Sequence, residues 1–228
     1  MAKPPSRRSS STEIAQFLAK SKAVTEFVDA KPRLMFAIDA TASRQPTWDR
    51  ACHLQREMFS ATEHIAQLSV QLCYYRGFHE FFASRWLGDS AALARLMSSV
   101  YCEGGHTQIA RLLKHALAEH RKRDIRALVF IGDALEESAD TLCDLAGQCG
   151  MLKLPLFLFQ EGHDGQVEQT FRSMARLSGG AWARFDSHSA QTLAGLLGAV
   201  ASYAAGGRTA LENSTTEGAK LLLQQLKD

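Results

Sequence analysis

The chain has 228 residues, 46% of them hydrophobic and 22% charged, the balance of a soluble globular protein that can bury a full core without a disulfide or metal staple. A net charge of only +2 excludes a global electrostatic pull towards nucleic acid or an anionic membrane. Five cysteines (Cys52, Cys73, Cys102, Cys143 and Cys149), with no C-x-x-C pair, fit free thiols in a reducing compartment rather than a disulfide framework or zinc knuckle.

The first 33 residues hold seven Lys/Arg against three acids, which leaves the remainder slightly acidic. Residues 1–10 are Pro, Ser and Arg without periodicity, with no apolar run for a secretory signal, and are expected to be disordered. A cytoplasmic location is expected. Residues 11–30 read as an amphipathic helix, capped by Ser11 or Thr12 and ended by Pro32. Alternating strand and helix patterns follow. Arg33–Ile38 reads as a buried strand, 47–66 as a helix, and Leu68–Tyr75 with Glu80–Trp86 as a hairpin through Arg76-Gly77. Asp89 opens a helix to about Val100, and Thr107 another to His120. Arg126–Gly132 is a strand and Ser138 caps a helix stopping at Gly150. Leu154–Phe159 is continuously apolar, as in a central parallel strand. A helix from Asp164 to Leu177, a strand at 181–185 and a helix through Leu193, Leu197 and Ala204 complete a domain at 33–205. The uncharged stretch from Ser187 to Gly207 is too short in its apolar part for a membrane span. Residues 206–216 read as a linker, and 217–227 as a short helix.

This order predicts an α/β fold: a doubly wound, mostly parallel six-stranded sheet, helices on both faces and one antiparallel edge strand. Ligands in such sheets sit beyond the carboxyl ends of the strands. There the first strand delivers Asp39-Ala40-Thr41-Ala42-Ser43, whose alternate oxygen-bearing side chains can face one point, as a hard cation requires.

With Gly104-Gly105-His106-Thr107 before a helix and Ile131-Gly132-Asp133 ending a strand, the sequence resembles the von Willebrand factor type A family and its metal ion-dependent adhesion site. The resemblance implies a fold with the site between the first and fourth strands. It implies one cation, Mg²⁺ or else Mn²⁺ or Ca²⁺, held by Thr41, Ser43 and Thr107, with Asp39 and Asp133 partly acting through water. An open position would take an Asp or Glu of a partner protein, with Arg44, His106 and Glu136 on the rim. Thr41 stands where the family usually has Ser, and Arg44 adds a cation beside the site.

The expected function is therefore a non-enzymatic interaction module, favoured as a monomer, with neither nucleic acid nor membrane as partner. Gly132-Asp133-x-x-Glu136-Glu137 also resembles the acidic motif of haloacid dehalogenase-like phosphatases. With Asp39 as nucleophile, however, Thr41 occupies the place of the catalytic acid. A scaffold with a vestigial site is the third reading. No phosphate-binding glycine loop is present, and the basic run Arg121-Lys122-Arg123 suits a helix C-terminus.

Overall fold

A computed structural model describes residues 12, 14–16, 31–44, 68–185 and 190–226. The helix read at 47–66 and most of that at 11–30 lie outside the described residues, although Thr12 and residues 14–16 are helical. Six strands form one sheet: β1 (Arg33–Asp39), β2 (Ser69–Arg76), β3 (Glu80–Ala83), β4 (Ile125–Gly132), β5 (Leu156–Glu161) and β6 (Ala181–Phe185), in the order β3-β2-β1-β4-β5-β6. All neighbours pair in parallel except β2 with β3, which closes the antiparallel edge. The strand order reverses at β1, flanked by β2 and β4, so the crevice beyond the carboxyl ends of β1 and β4 is the switch point.

Among the described residues, the helices that cover the two faces are α1 (Ser90–Ser98), α2 (Ile109–Lys122), α3 (Ala139–Met151), α4 (Gly165–Ser178), α5 (Ala190–Glu212) and α6 (Glu217–Leu223). The two-residue strand period divides the core. Leu34, Phe36 and Ile38 of β1 join Val129 and Ile131 of β4 against α1, α5 and α6. Met35 and Ala37 join Leu128 and Phe130 against α2, α3 and α4. By the same alternation Asp39 falls on the α2 side. Asp89 and Asp164 cap α1 and α4, each carboxylate accepting two backbone N–H groups. Such caps contribute about 1 kcal/mol each.

Two readings need correction. Residues 206–216 are not a linker: α5 is helical to Glu212, interrupted at Gly207, whose φ of 68° only glycine adopts freely. This break turns the chain so that Leu211, Ala219, Leu222 and Leu226 enter the core, and the folded unit runs beyond residue 205. Gln225 also pairs with both the N–H and the C=O of Trp182, at 3.0 and 2.8 Å, covering backbone groups on edge strand β6. Thr107, in turn, does not open α2. It lies in the preceding turn, Gln108 holds the N-cap position, and the helix starts at Ile109.

No described helix is long and apolar enough to cross a membrane. The four described cysteines, Cys73, Cys102, Cys143 and Cys149, are free thiols. Burial pushes the Cys149 thiol up to about 12 and Cys73 further.

Candidate functional site

Asp39 is the last residue of β1 and is fully buried. A bare carboxylate there would be costly, so its partners matter. Oδ1 accepts the N–H of Thr41 at 2.8 Å, the local bond that aspartate makes in a tight turn. Oδ2 accepts the hydroxyl of Tyr75 at 3.1 Å. Tyr75 lies opposite Asp39 in the β1–β2 register, and burial first, then the Asp39 charge, raise its pKa well above the ordinary tyrosine value. The phenol is thus a permanent donor. The chain then turns through a 3-10 segment, Ala42–Arg44, which brings the Thr41 and Ser43 hydroxyl oxygens to 3.2 Å. Thr41 is nearly buried and Ser43 exposed, so the pair forms the mouth of the loop. The Arg44 side chain lies outside the described residues.

Asp133 follows the end of β4 directly. Gly132 leaves room for the Phe130 ring of the same strand: a Cβ there would stand 2.8 Å from that ring, and at an ordinary 3.6 Å from the Asp39 Cβ. The charges of Asp39, Glu137 and Asp133 also raise the Tyr75 pKa. Oδ1 of Asp133 is buried and has no hydrogen-bond partner.

Thr107 comes from the α1–α2 loop. Its side chain is buried, and Oγ1 accepts the N–H of Glu136 at 3.1 Å. The Thr107 N–H returns the bond to Glu136 Oε2 at 2.8 Å, and His106 Nδ1 lies 3.2 Å from the same oxygen. Glu137, beside it, accepts the N–H groups of Ile109 and Ala110 at 2.6 and 2.8 Å. Burial raises the Glu137 pKa, while these N–H groups and a hydrogen bond from Thr107 oppose the rise. The Thr107 loop leans on the β2–β3 turn through Gly105, where a Cβ would meet the Gly77 carbonyl oxygen at 1.9 Å. Only glycine permits that contact.

Sequence reasoning therefore placed Asp39, Thr41 and Ser43 in one turn, and Thr107 and Asp133 in two loops that the structure joins. His106 and Glu136 are exposed at the rim. Glu136, however, is occupied with Thr107. Tyr75 was missed, and Glu137 was read only within the phosphatase-like acidic motif, because their roles depend on strand register and on a loop 27–28 residues away from its partners. Two exposed aromatics were missed as well: Phe78 (65% exposed), edge-on to His106, and Tyr101 (58% exposed), under the Arg76 guanidinium. Among the described residues no group of three or more His, Cys, Asp or Glu is placed to hold a metal. A cation would have to be held by two carboxylates and three hydroxyls, a set that suits a hard ion keeping several waters.

No family model matches the sequence, and no curated protein matches it. Solved structures do. The chain is similar to the VWA domain of SpRpn10 at 10% identity and TM-score 0.55, over 72% of this chain and 95% of that one. It is similar to a von Willebrand factor type A structure from Catenulispora acidiphila at 15% identity and TM-score 0.60, over 77% of this chain but 43% of that one. It also resembles the manganese-loaded TRAP protein of Plasmodium vivax at 14% identity and TM-score 0.52, over 73% and 72% of the two chains.

Proposed function

We propose that this chain, whose fold is that of von Willebrand factor type A domains, is a protein-interaction module. In this reading one divalent cation at Asp39, Thr41, Ser43, Thr107 and Asp133 bridges to an acidic residue of a partner. The observation that carries the reading is Asp133 Oδ1, a buried carboxylate oxygen with no hydrogen-bond partner, at the same sheet edge as the loops that hold the three hydroxyls. Such an atom costs about 1–3 kcal/mol unless something satisfies it, and a hydrated cation would do so. The manganese-loaded state of the similar TRAP protein supports a divalent ion. The carboxylates of Asp133, Glu136 and Glu137, carried on one loop, would repel an incoming acid without that cation. Phe78 and Tyr101, exposed beyond His106 and Glu103, would supply apolar contact to the same partner.

A non-enzymatic role fits the Asp39 carboxylate, which is buried with both oxygens accepting hydrogen bonds. A nucleophile must reach its substrate, so the phosphatase reading loses support. Calorimetry with Mg²⁺ and Mn²⁺ tests the proposal. One site is expected, lost in Asp133→Ala, and saturation at 100 times Kd should stabilise the protein by about 2.7 kcal/mol. No heat and no stabilisation with either ion at millimolar concentration would sink it.

A further inference from the structure

We propose that Glu136 and Glu137 are positioning residues of the candidate cation site. They clasp the Thr107 loop and the N-terminus of α2 onto the loop that carries Asp133, and so set the spacing between its two donor loops. The role towards the cation rests on the reading above; the clasp itself does not.

A helix exposes backbone N–H groups at its start, and these need acceptors. The N-cap residue of α2, Gln108, makes no side-chain capping bond, and the first turn holds no acid. The acceptors come instead from across the site: the Glu137 carboxylate takes the N–H groups of Ile109 and Ala110. Glu136 adds a reciprocal pair, its carboxylate accepting from Thr107 N and its own N–H donating to Thr107 Oγ1. Two successive residues therefore make four bonds to the loop that brings Thr107. A cap within α2 would satisfy the helix equally well but would leave that loop free to drift from Asp133.

The consequence for Thr107 is orientation. Its oxygen accepts one N–H from Glu136, which fixes the side of the hydroxyl that faces the Asp133 loop. A hydroxyl has two acceptor lone pairs, so one remains, aimed rather than rotating. The glutamates also add two carboxylates to the loop that carries Asp133, an arrangement that a bound cation would relieve. Clasp and cation should therefore strengthen each other, as linkage requires.

The test uses the full chain, with Glu136→Ala and Glu137→Ala beside Glu136→Gln and Glu137→Gln. Amide hydrogen exchange on metal-free protein should show faster exchange at Thr107 in Glu136→Ala and at Ile109 and Ala110 in Glu137→Ala. Calorimetry with Mn²⁺ should then show affinity about 10-fold weaker or worse in both alanine variants. The glutamine variants, which keep an acceptor oxygen, should recover most of it. Should an alanine variant fail to fold, the glutamine variants carry the comparison, each expected between wild type and no clasp. Unchanged exchange at these amides overturns the clasp. Altered exchange with wild-type Mn²⁺ affinity overturns the positioning role. A wild-type chain that takes up no Mn²⁺ overturns the cation reading, and the positioning role with it, while metal-free exchange still judges the clasp separately.

Discussion

Asp39 and Asp133 stand at the ends of neighbouring strands, and their carboxylates are held in contrasting ways. Asp39 is fully buried, yet Thr41 and Tyr75 donate to its two oxygens. Asp133 is only partly covered as a residue, yet its Oδ1 is buried with no hydrogen-bond partner. The β1 side is organised by its own turn and by the adjacent strand. The β4 side leaves an oxygen unsatisfied and spends its hydrogen bonds, through Glu136 and Glu137, on the Thr107 loop. Depth of burial is therefore a poor guide to which carboxylate awaits a ligand; the hydrogen-bond inventory separates them.

The largest expected effect is on the β1 side. Asp39→Ala would leave the buried Tyr75 hydroxyl and the Thr41 N–H without acceptors, lowering stability by about 3 kcal/mol or more in urea unfolding with chelator present. A loss below half that size would mean that the turn reforms around water.

Asp133→Ala should act with the opposite sign. Removing an unsatisfied buried oxygen should raise the stability of the metal-free protein by about 1 kcal/mol and abolish any stabilisation by Mg²⁺. Thermal unfolding with and without the ion reads both at once. A destabilised metal-free variant would break the contrast between the two aspartates.

Tyr75→Phe should cost less than Asp39→Ala, a loss of about 1–2 kcal/mol for one hydrogen bond to a charged acceptor. Its pH dependence sharpens the point. Burial and Asp39 raise the Tyr75 pKa well above 10.0, so the unfolded chain releases this proton first. The stability it contributes is complete below the unfolded value and is lost as pH rises past it. Denaturation followed from pH 8 to 11, a range chosen around the ordinary tyrosine value of about 10, should show a decline that is shallower in Tyr75→Phe.

Much of the fold is legible from local pattern. Strand β6 was read with the bounds it has, and Asp89 and Asp164 cap the helices that their position announced. The continuous apolar run of β5 is what a strand covered on both faces requires. Asp39, Thr41 and Ser43 were legible because they act within one turn. Residues 206–212 were misread because Gly206-Gly207 looks like linker, while the decisive fact is that Leu211 reaches the core after the turn. Gly105 precedes a helix in the sequence, but its constraint is the Gly77 carbonyl on another segment.

By itself, then, the sequence determined the alternation of strands and helices, the edge of the sheet where polar loops gather, and the oxygen donors of the first loop. Periodicity and turn chemistry act over a few residues, so one stretch of chain is enough to read them. Only the tertiary structure decided that Tyr75 donates to Asp39, that two glutamates of the β4–α3 loop hold Thr107 and cap α2, and that Asp133 keeps an unsatisfied oxygen. Each of these depends on which donors and acceptors meet after distant segments pair. Hydrogen bonds are short-ranged and directional, so spacing along the chain carries no record of them.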